Sequence, residues 1–78
     1  MDEIKLLDVV ALLADLPEQG LRRGDVGTVV EAFEQNAHHP RGFIVEFVDD
    51  SGGVYSHADI TDASQLVKLH FNLKREAA

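Results

Sequence analysis

Residues 20–31 run Gly-Leu-Arg-Arg-Gly-Asp-Val-Gly-Thr-Val-Val-Glu, and no other segment restricts the fold so strongly. Gly20, Gly24 and Gly27 give backbone freedom where a loop turns sharply and enters a strand, because glycine alone takes positive φ without steric cost. The β-branched stretch that follows, from Val26 to about Phe33, reads as that strand. The run speaks to fold and not to chemistry. Its glycines do not have P-loop spacing, and no Gly-Lys-Ser/Thr follows.

The rest of the chain continues the pattern of short strands and polar turns. Residues 6–13, Leu-Leu-Asp-Val-Val-Ala-Leu-Leu, fit a short strand or one end of a helix, and periodicity alone does not separate the two. Val9 and Val10 favour the strand, with Asp8 as a charge on a sheet edge. Leu16 before Pro17 is pushed to extended angles, and a loop runs from Ala14 to about Asp25. Residues 35–42 are polar, carry Pro40 and Gly42, and predict a surface hairpin loop. Phe43-Ile-Val-Glu-Phe-Val48 is the clearest strand. Asp49-Asp-Ser-Gly-Gly53 is a tight turn into a strand over residues 54–58, so these two strands form an antiparallel hairpin.

Residues 61–75 read both ways. Leu66, Leu69 and Leu73 suit a helical face, whereas Val67, Leu69 and Phe71 suit a strand face. Context favours a strand over residues 66–69, preceded at residues 62–65 by one 3-10 or helical turn. Residues 74–78 are expected to be a frayed tail, which leaves a core unit of residues 4–73. Five short strands without a long helix predict an all-β fold, a small five-stranded SH3-like barrel. An OB-type barrel would need a helix between its third and fourth strands, and residues 49–53 leave no room for one.

Composition narrows the function classes. A chain of 78 residues makes one domain, spanning residues 1–78, and it has no cysteine for disulfides or thiolate metal sites. The N-terminus is acidic where a signal peptide would be basic, and no apolar run approaches the ~18 residues of a membrane span. A cytoplasmic, soluble chain is expected. Seven Lys+Arg against 14 Asp+Glu give a net charge of -7, whose field repels nucleic acid and anionic lipid. The acids are scattered, as on a solvated surface, and an apolar share of 45% is enough for a folded core.

Asp8-Val-Val-Ala-Leu, Asp15-Leu-Pro-Glu, Leu21-Arg-Arg-Gly-Asp-Val-Gly-Thr-Val-Val-Glu and Val45-Glu-Phe-Val-Asp together resemble a family of very short bacterial proteins, a domain of unknown function with a DVV motif. The resemblance covers most of residues 4–69 and implies an SH3-like barrel without implying an activity. Arg23-Gly-Asp-Val-Gly-Thr-Val-Val also resembles the loop and strand of KOW-type modules, and of SH3-like adaptor chains such as a small one found in photosystem I. KOW-type RNA binders carry a basic loop surface, from which this acidic chain departs. Fold likeness does not carry function.

Candidate site residues are few. Arg22 and Arg23, joined by Arg41, form the one basic cluster and could grip a phosphate or a partner's carboxylate in bidentate fashion; the alternative is that they balance Glu18 and Asp25. His38, His39, His57 and His70 invite a metal reading, but adjacent histidines seldom chelate one ion well, and no cofactor or metal is expected. His57 shares a strand face with Tyr55 and Asp59. There is no cysteine nucleophile, no Gly-x-Ser-x-Gly elbow and no carboxylate pair on a rigid element, and a small barrel's interior is filled by side chains. The chain is expected not to be an enzyme.

One clue remains, a surplus of apolar residues on strands. Phe43, Val45 and Phe47 face one side while Ile44 and Val48 face the other with Glu46 between them, and residues 26–33 are apolar in both phases. A barrel has one inside, so Ile44 and Val48, with Val30, would be covered by a protein partner or a second copy of the chain, unless they are scattered surface residues. The expectation is an interaction or adaptor module whose partner contacts are Arg22, Arg23, Asp25, Ile44 and Val48. The alternatives are a KOW-like nucleic-acid module and a small-ligand or metal-binding protein.

Overall fold

The structure, a computed structural model, describes residues 3–70. Its strands are β1 (Val9–Leu12), β2 (Val26–Phe33), β3 (Gly42–Val48), β4 (Val54–Ile60) and β5 (Leu66–Lys68), with 3-10 turns at Pro17–Gln19 and Ala63–Gln65. All pairings are antiparallel, in one sheet of order β4-β3-β2-β1-β5. No α-helix occurs among the described residues, and none of their segments is a helix long and apolar enough to cross a membrane. The all-β class, the five strands and the 3-10 turn before the last one agree with the sequence reading. The tail expected at residues 74–78 and the end of the core unit at residue 73 lie outside the described residues.

The sheet rolls up because β2 is bent. Val29 pairs with Val45 and Glu31 with Ile44, so Val30 is an extra residue in a bulge. Before the bulge β2 pairs with both β1 and β3; beyond it, residues 31–33 pair with β3 alone. Side chains from both sheet edges then meet in one core: Ala58 and Ile60 of β4 pack in the same cluster as Leu66 of β5, Val10 and Leu12 of β1, Val29, and the β3 row Phe43, Val45 and Phe47. This is the small SH3-like barrel.

Gly27 explains why β2 sits with this phase inward. A Cβ there would lie 2.7 Å from Val45 Cγ1, 2.8 Å from the Glu46 carbonyl and 2.9 Å from Phe47 Cδ2. Its role is close approach, not positive φ; of the three glycines in residues 20–27, Gly20 and Gly24 take positive φ, at 72° and 95°.

Several expectations are corrected. The first strand is shorter than residues 6–13, because Lys5 to Asp8 form a turn in which the Asp8 carboxylate accepts from the Lys5 amide at 2.7 Å and the Asp8 amide donates to the Lys5 carbonyl at 3.0 Å. Leu7 in this turn has φ 73°. β1 lies between β2 and β5, so Asp8 is not on a sheet edge; it meets Lys68 Nζ at 3.3 Å instead. β4 continues past Ala58 to Ile60, since Ile60 pairs with Phe43 and fills the core, and β5 stops at Lys68 rather than Leu69.

Candidate functional site

Strand alternation and the pairing register build an apolar row across the outside of the barrel. Gly27 and Phe47 face inward, so Val26 and Val48, one step along the register, face out side by side. Val26 pairs with Ala11, Ala11 with Val67, and Val48 with Val54. The row therefore runs Val67, Ala11, Val26, Val48, Val54, one residue from each of the five strands. Its four valines are between 41% and 49% exposed. Valine suits these strand positions intrinsically, yet nothing among the described residues covers its outer half.

Polar neighbours bound the row on both sides. Two residues along the strands, or three along the bulged β4, lie Val9, Thr28, Glu46 and His57, all polar but Val9, and the last two are in contact at 3.5 Å between Oε2 and Nε2. On the other side lie the β1–β2 loop and the turn at residues 49–53. That loop is firmly built. Leu16 and Leu21 bridge across the Pro17–Gln19 turn, Leu21 is buried in the core, and Ser56 Oγ donates to the Gln19 carbonyl at 2.9 Å.

The expected site residues are placed as follows. Arg22 and Arg23 are exposed at the end of this loop, where Asp25 accepts from the Arg22 amide and Asp15 from the Arg23 amide, each at 2.9 Å. These carboxylates hold the backbone. Neither guanidinium makes an ion pair among the described residues, so charge balance by Glu18 and Asp25 does not take the form of a salt bridge. Arg41 does not join them: it precedes β3, at the end opposite Val48, and pairs with Glu3 at 3.4 Å. Ile44 and Val48 both face outward but are separated along β3 by Glu46; Ile44 is flanked by Glu31 and Asp59. Only Val48 of the pair belongs to the apolar row.

Tyr55, Val26, Val54 and Val67 were not singled out as partner contacts by sequence reasoning. Tyr55 is the extra residue of a bulge, since Phe47 pairs with Ser56 and Val48 with Val54, which takes it out of step with His57 and Asp59. It lies instead near Asp25, and lost hydration together with that carboxylate raises its hydroxyl above the ordinary value of 10.0. In the adjoining turn the Asp49 carboxylate accepts from the Gly53 amide and from Ser51, which holds it below the usual carboxylate value. Tyr55 thus stays a neutral phenol, half-exposed, between the valine row and the arginine loop.

The histidines do not converge. The backbone amides of His38 and His39, in the β2–β3 loop, donate hydrogen bonds to Asn36 Oδ1 at 2.7 and 3.0 Å, and the His39 ring meets Phe33 edge-on with centroids 4.9 Å apart. Among the described residues no three His, Asp or Glu side chains are grouped as a metal site requires.

The family described as Domain of unknown function (DUF4926) matches residues 6–67. The chain belongs to this family. The matched span contains β1 to β4, the β1–β2 loop and four residues of the apolar row in full, and ends at Val67, the fifth. No curated protein and no solved structure matches the chain.

Proposed function

We propose that this domain is a non-enzymatic interaction module that binds a basic partner protein through the outer face of its sheet. The observation that carries this reading is the valine row, one half-exposed apolar side chain on every strand but β1, which adds Ala11. Covering the exposed halves of four valines is worth about 3 to 6 kcal/mol, since burying a whole valine side chain is worth about 1.5 to 3 kcal/mol. A micromolar complex needs about 8 kcal/mol, so the polar border has to take part.

That border sets the sign of the partner. Asp25, Asp49 and Glu46 flank the row, and the whole chain carries a net charge of -7. A second copy would set like charges together, whereas lysines and arginines around an apolar strip would complement them. Arg22 and Arg23, whose guanidinium groups make no ion pair among the described residues, stand in the loop along one side of the row and would fix orientation by gripping a carboxylate. Tyr55 would supply a rigid amphipathic contact of the type enriched at binding hot spots.

The test uses a Val48→Glu, Val54→Glu double variant, whose exposed positions leave the core intact; circular dichroism and urea unfolding check this. Proteins captured by the wild-type chain at low salt are identified, purified and titrated against both chains. A basic protein whose affinity falls at least about tenfold in the variant supports the reading, since more than about 1.4 kcal/mol of apolar contact is lost. Equal affinity for the variant, or self-association of the wild type in sedimentation that the variant abolishes, overturns it.

A further inference from the structure

We propose that the groove beside the β5 edge, which no strand among the described residues covers, accepts an extended segment of a partner protein as an added strand, with apolar side chains alternating with carboxylates. This surface is separate from the interaction face around Val48 and Val54. It meets that face only at Val67, so the two readings stand or fall independently.

The backbone supplies the first argument. The Leu13 amide donates to the Gln65 carbonyl at 2.7 Å and the Leu69 amide to the Val9 carbonyl at 2.9 Å, on either side of the Ala11 and Val67 pair. In an antiparallel ladder this phase turns the peptide groups of residues 65, 67 and 69 toward β1 and those of Leu66 and Lys68 away from it. The Leu66 amide is taken by the Ala63 carbonyl. The Leu66 carbonyl and both Lys68 peptide groups point outward, and among the described residues no strand lies on that side. An amide and a carbonyl on one residue are what an incoming strand pairs with.

The second argument is space and polarity. A groove of about 880 Å³ runs along this edge, floored by Ile4, Leu13, Phe43 and Leu66. That volume is within the range of ligand-binding clefts. Arg41 and Lys68 line it as well, with Glu3 the one acid among its lining residues, and the Lys68 Nζ is held by Asp8 at 3.3 Å. Arg41, whose ion pair with Glu3 is exposed on both sides, is the cation open to an arriving ligand here. The Arg41 guanidinium lies 5.6 Å from the centre of the Phe43 ring, directly over the apolar floor. The pair with Glu3 is exposed to solvent and weak, so an arriving carboxylate displaces Glu3 at little cost.

These features select the occupant. An apolar residue fills the floor, a carboxylate meets Arg41, and strand pairing with Lys68 sets the alternation. A second copy of β5 is Leu-Val-Lys, which brings lysine to lysine and offers no carboxylate.

The experiment titrates the ¹⁵N-labelled full chain with an acetylated, amidated octapeptide of alternating valine and aspartate. A valine–lysine octapeptide, two N-methylated forms of the aspartate peptide (on the valines or on the aspartates) and dodecanoate serve as comparison ligands. The expected result is saturable shifts at Val67 to Leu69 and about tenfold slower amide exchange at Lys68. One N-methylated form should lose affinity and the other keep it. Arg41→Glu should weaken binding at least about fivefold, Glu3→Gln should tighten it, and the Val48→Glu, Val54→Glu chain should bind as the wild type does. The proposal is overturned if the lysine peptide binds as well, if both N-methylated forms bind unimpaired, or if Arg41→Glu changes nothing. Dodecanoate saturating the groove while the peptide does not would assign it to a free amphiphilic carboxylate and equally overturn strand addition.

Discussion

Replacing Gly27 with alanine tests the packing on which both surfaces depend. The added Cβ would sit 2.7 to 2.9 Å from Val45 Cγ1, the Glu46 carbonyl and Phe47 Cδ2. Carbon contacts are most favourable near 3.5 to 4.0 Å, so each of these is about 1 Å too close. Val45 and Phe47 are fully buried and cannot swing aside, and the Glu46 carbonyl is part of the β3 backbone. Overpacking of this kind costs about 3 kcal/mol, the upper end for one methyl group in a filled core. Against it stand about 0.7 kcal/mol from the less flexible unfolded chain and about 0.8 kcal/mol from burying the methyl.

The balance is a loss of about 1.5 kcal/mol, and for a domain of this size each kcal/mol lowers Tm by about 4 to 8 °C. Urea unfolding followed by far-ultraviolet circular dichroism reads the loss directly, with no tryptophan needed. Because residue faces alternate along a strand, Gly27 inside is what places Val26 and Thr28 outside. A Gly27→Ala chain within about 0.5 kcal/mol of the wild type would refute the phase of β2, and the valine row with it.

Two further outcomes follow from the turn before β1. Leu7 is 70% exposed at φ 73°, so Leu7→Gly should keep or raise stability despite the lost burial, while β-branched Leu7→Val should lower it by about 1 kcal/mol; the reverse order in urea unfolding would refute the strain. Asp8 is held below the ordinary 3.8 chiefly by the Lys5 amide, against partial burial, with Lys68 adding to the effect. A depressed carboxylate gives stability that is present above its unfolded pKa and lost as pH falls through the folded one, so urea midpoints should drop below about pH 4. Asp8→Asn should be less stable near neutrality and flatter in acid, and parallel curves for the two chains would count against this assignment.

The site was less legible than the fold, for identifiable reasons. Val48 was visible as an outward residue because β3 alternates cleanly between Phe43, Val45 and Phe47 inside and Ile44, Glu46 and Val48 outside. Its neighbours Val26, Val54 and Val67 were not, since they lie on other strands and become adjacent only through the register. Ile44 looked equivalent to Val48 in sequence, but pairing sets it between Glu31 and Asp59. Arg41 looked like a companion of Arg22 and Arg23 by residue type alone, and β3 carries it to the other end of the barrel.

By itself the sequence determined the order of the strands and turns, though not all of their bounds. Those signals are local: β-branched runs, alternation along β3, and glycine, proline and aspartate at turns. It also determined the acidic field, which is a sum over the chain. Tertiary structure decided which phase of β2 faces the core, because residues 26–33 are apolar in both phases and only the contact of Gly27 with Val45 and Phe47 separates them. It decided the bulges at Val30 and Tyr55, and it assembled the valine row and the groove beside β5 from residues far apart in the chain. Such neighbours are set by hydrogen bonding between strands, a non-local pairing that no window of sequence contains.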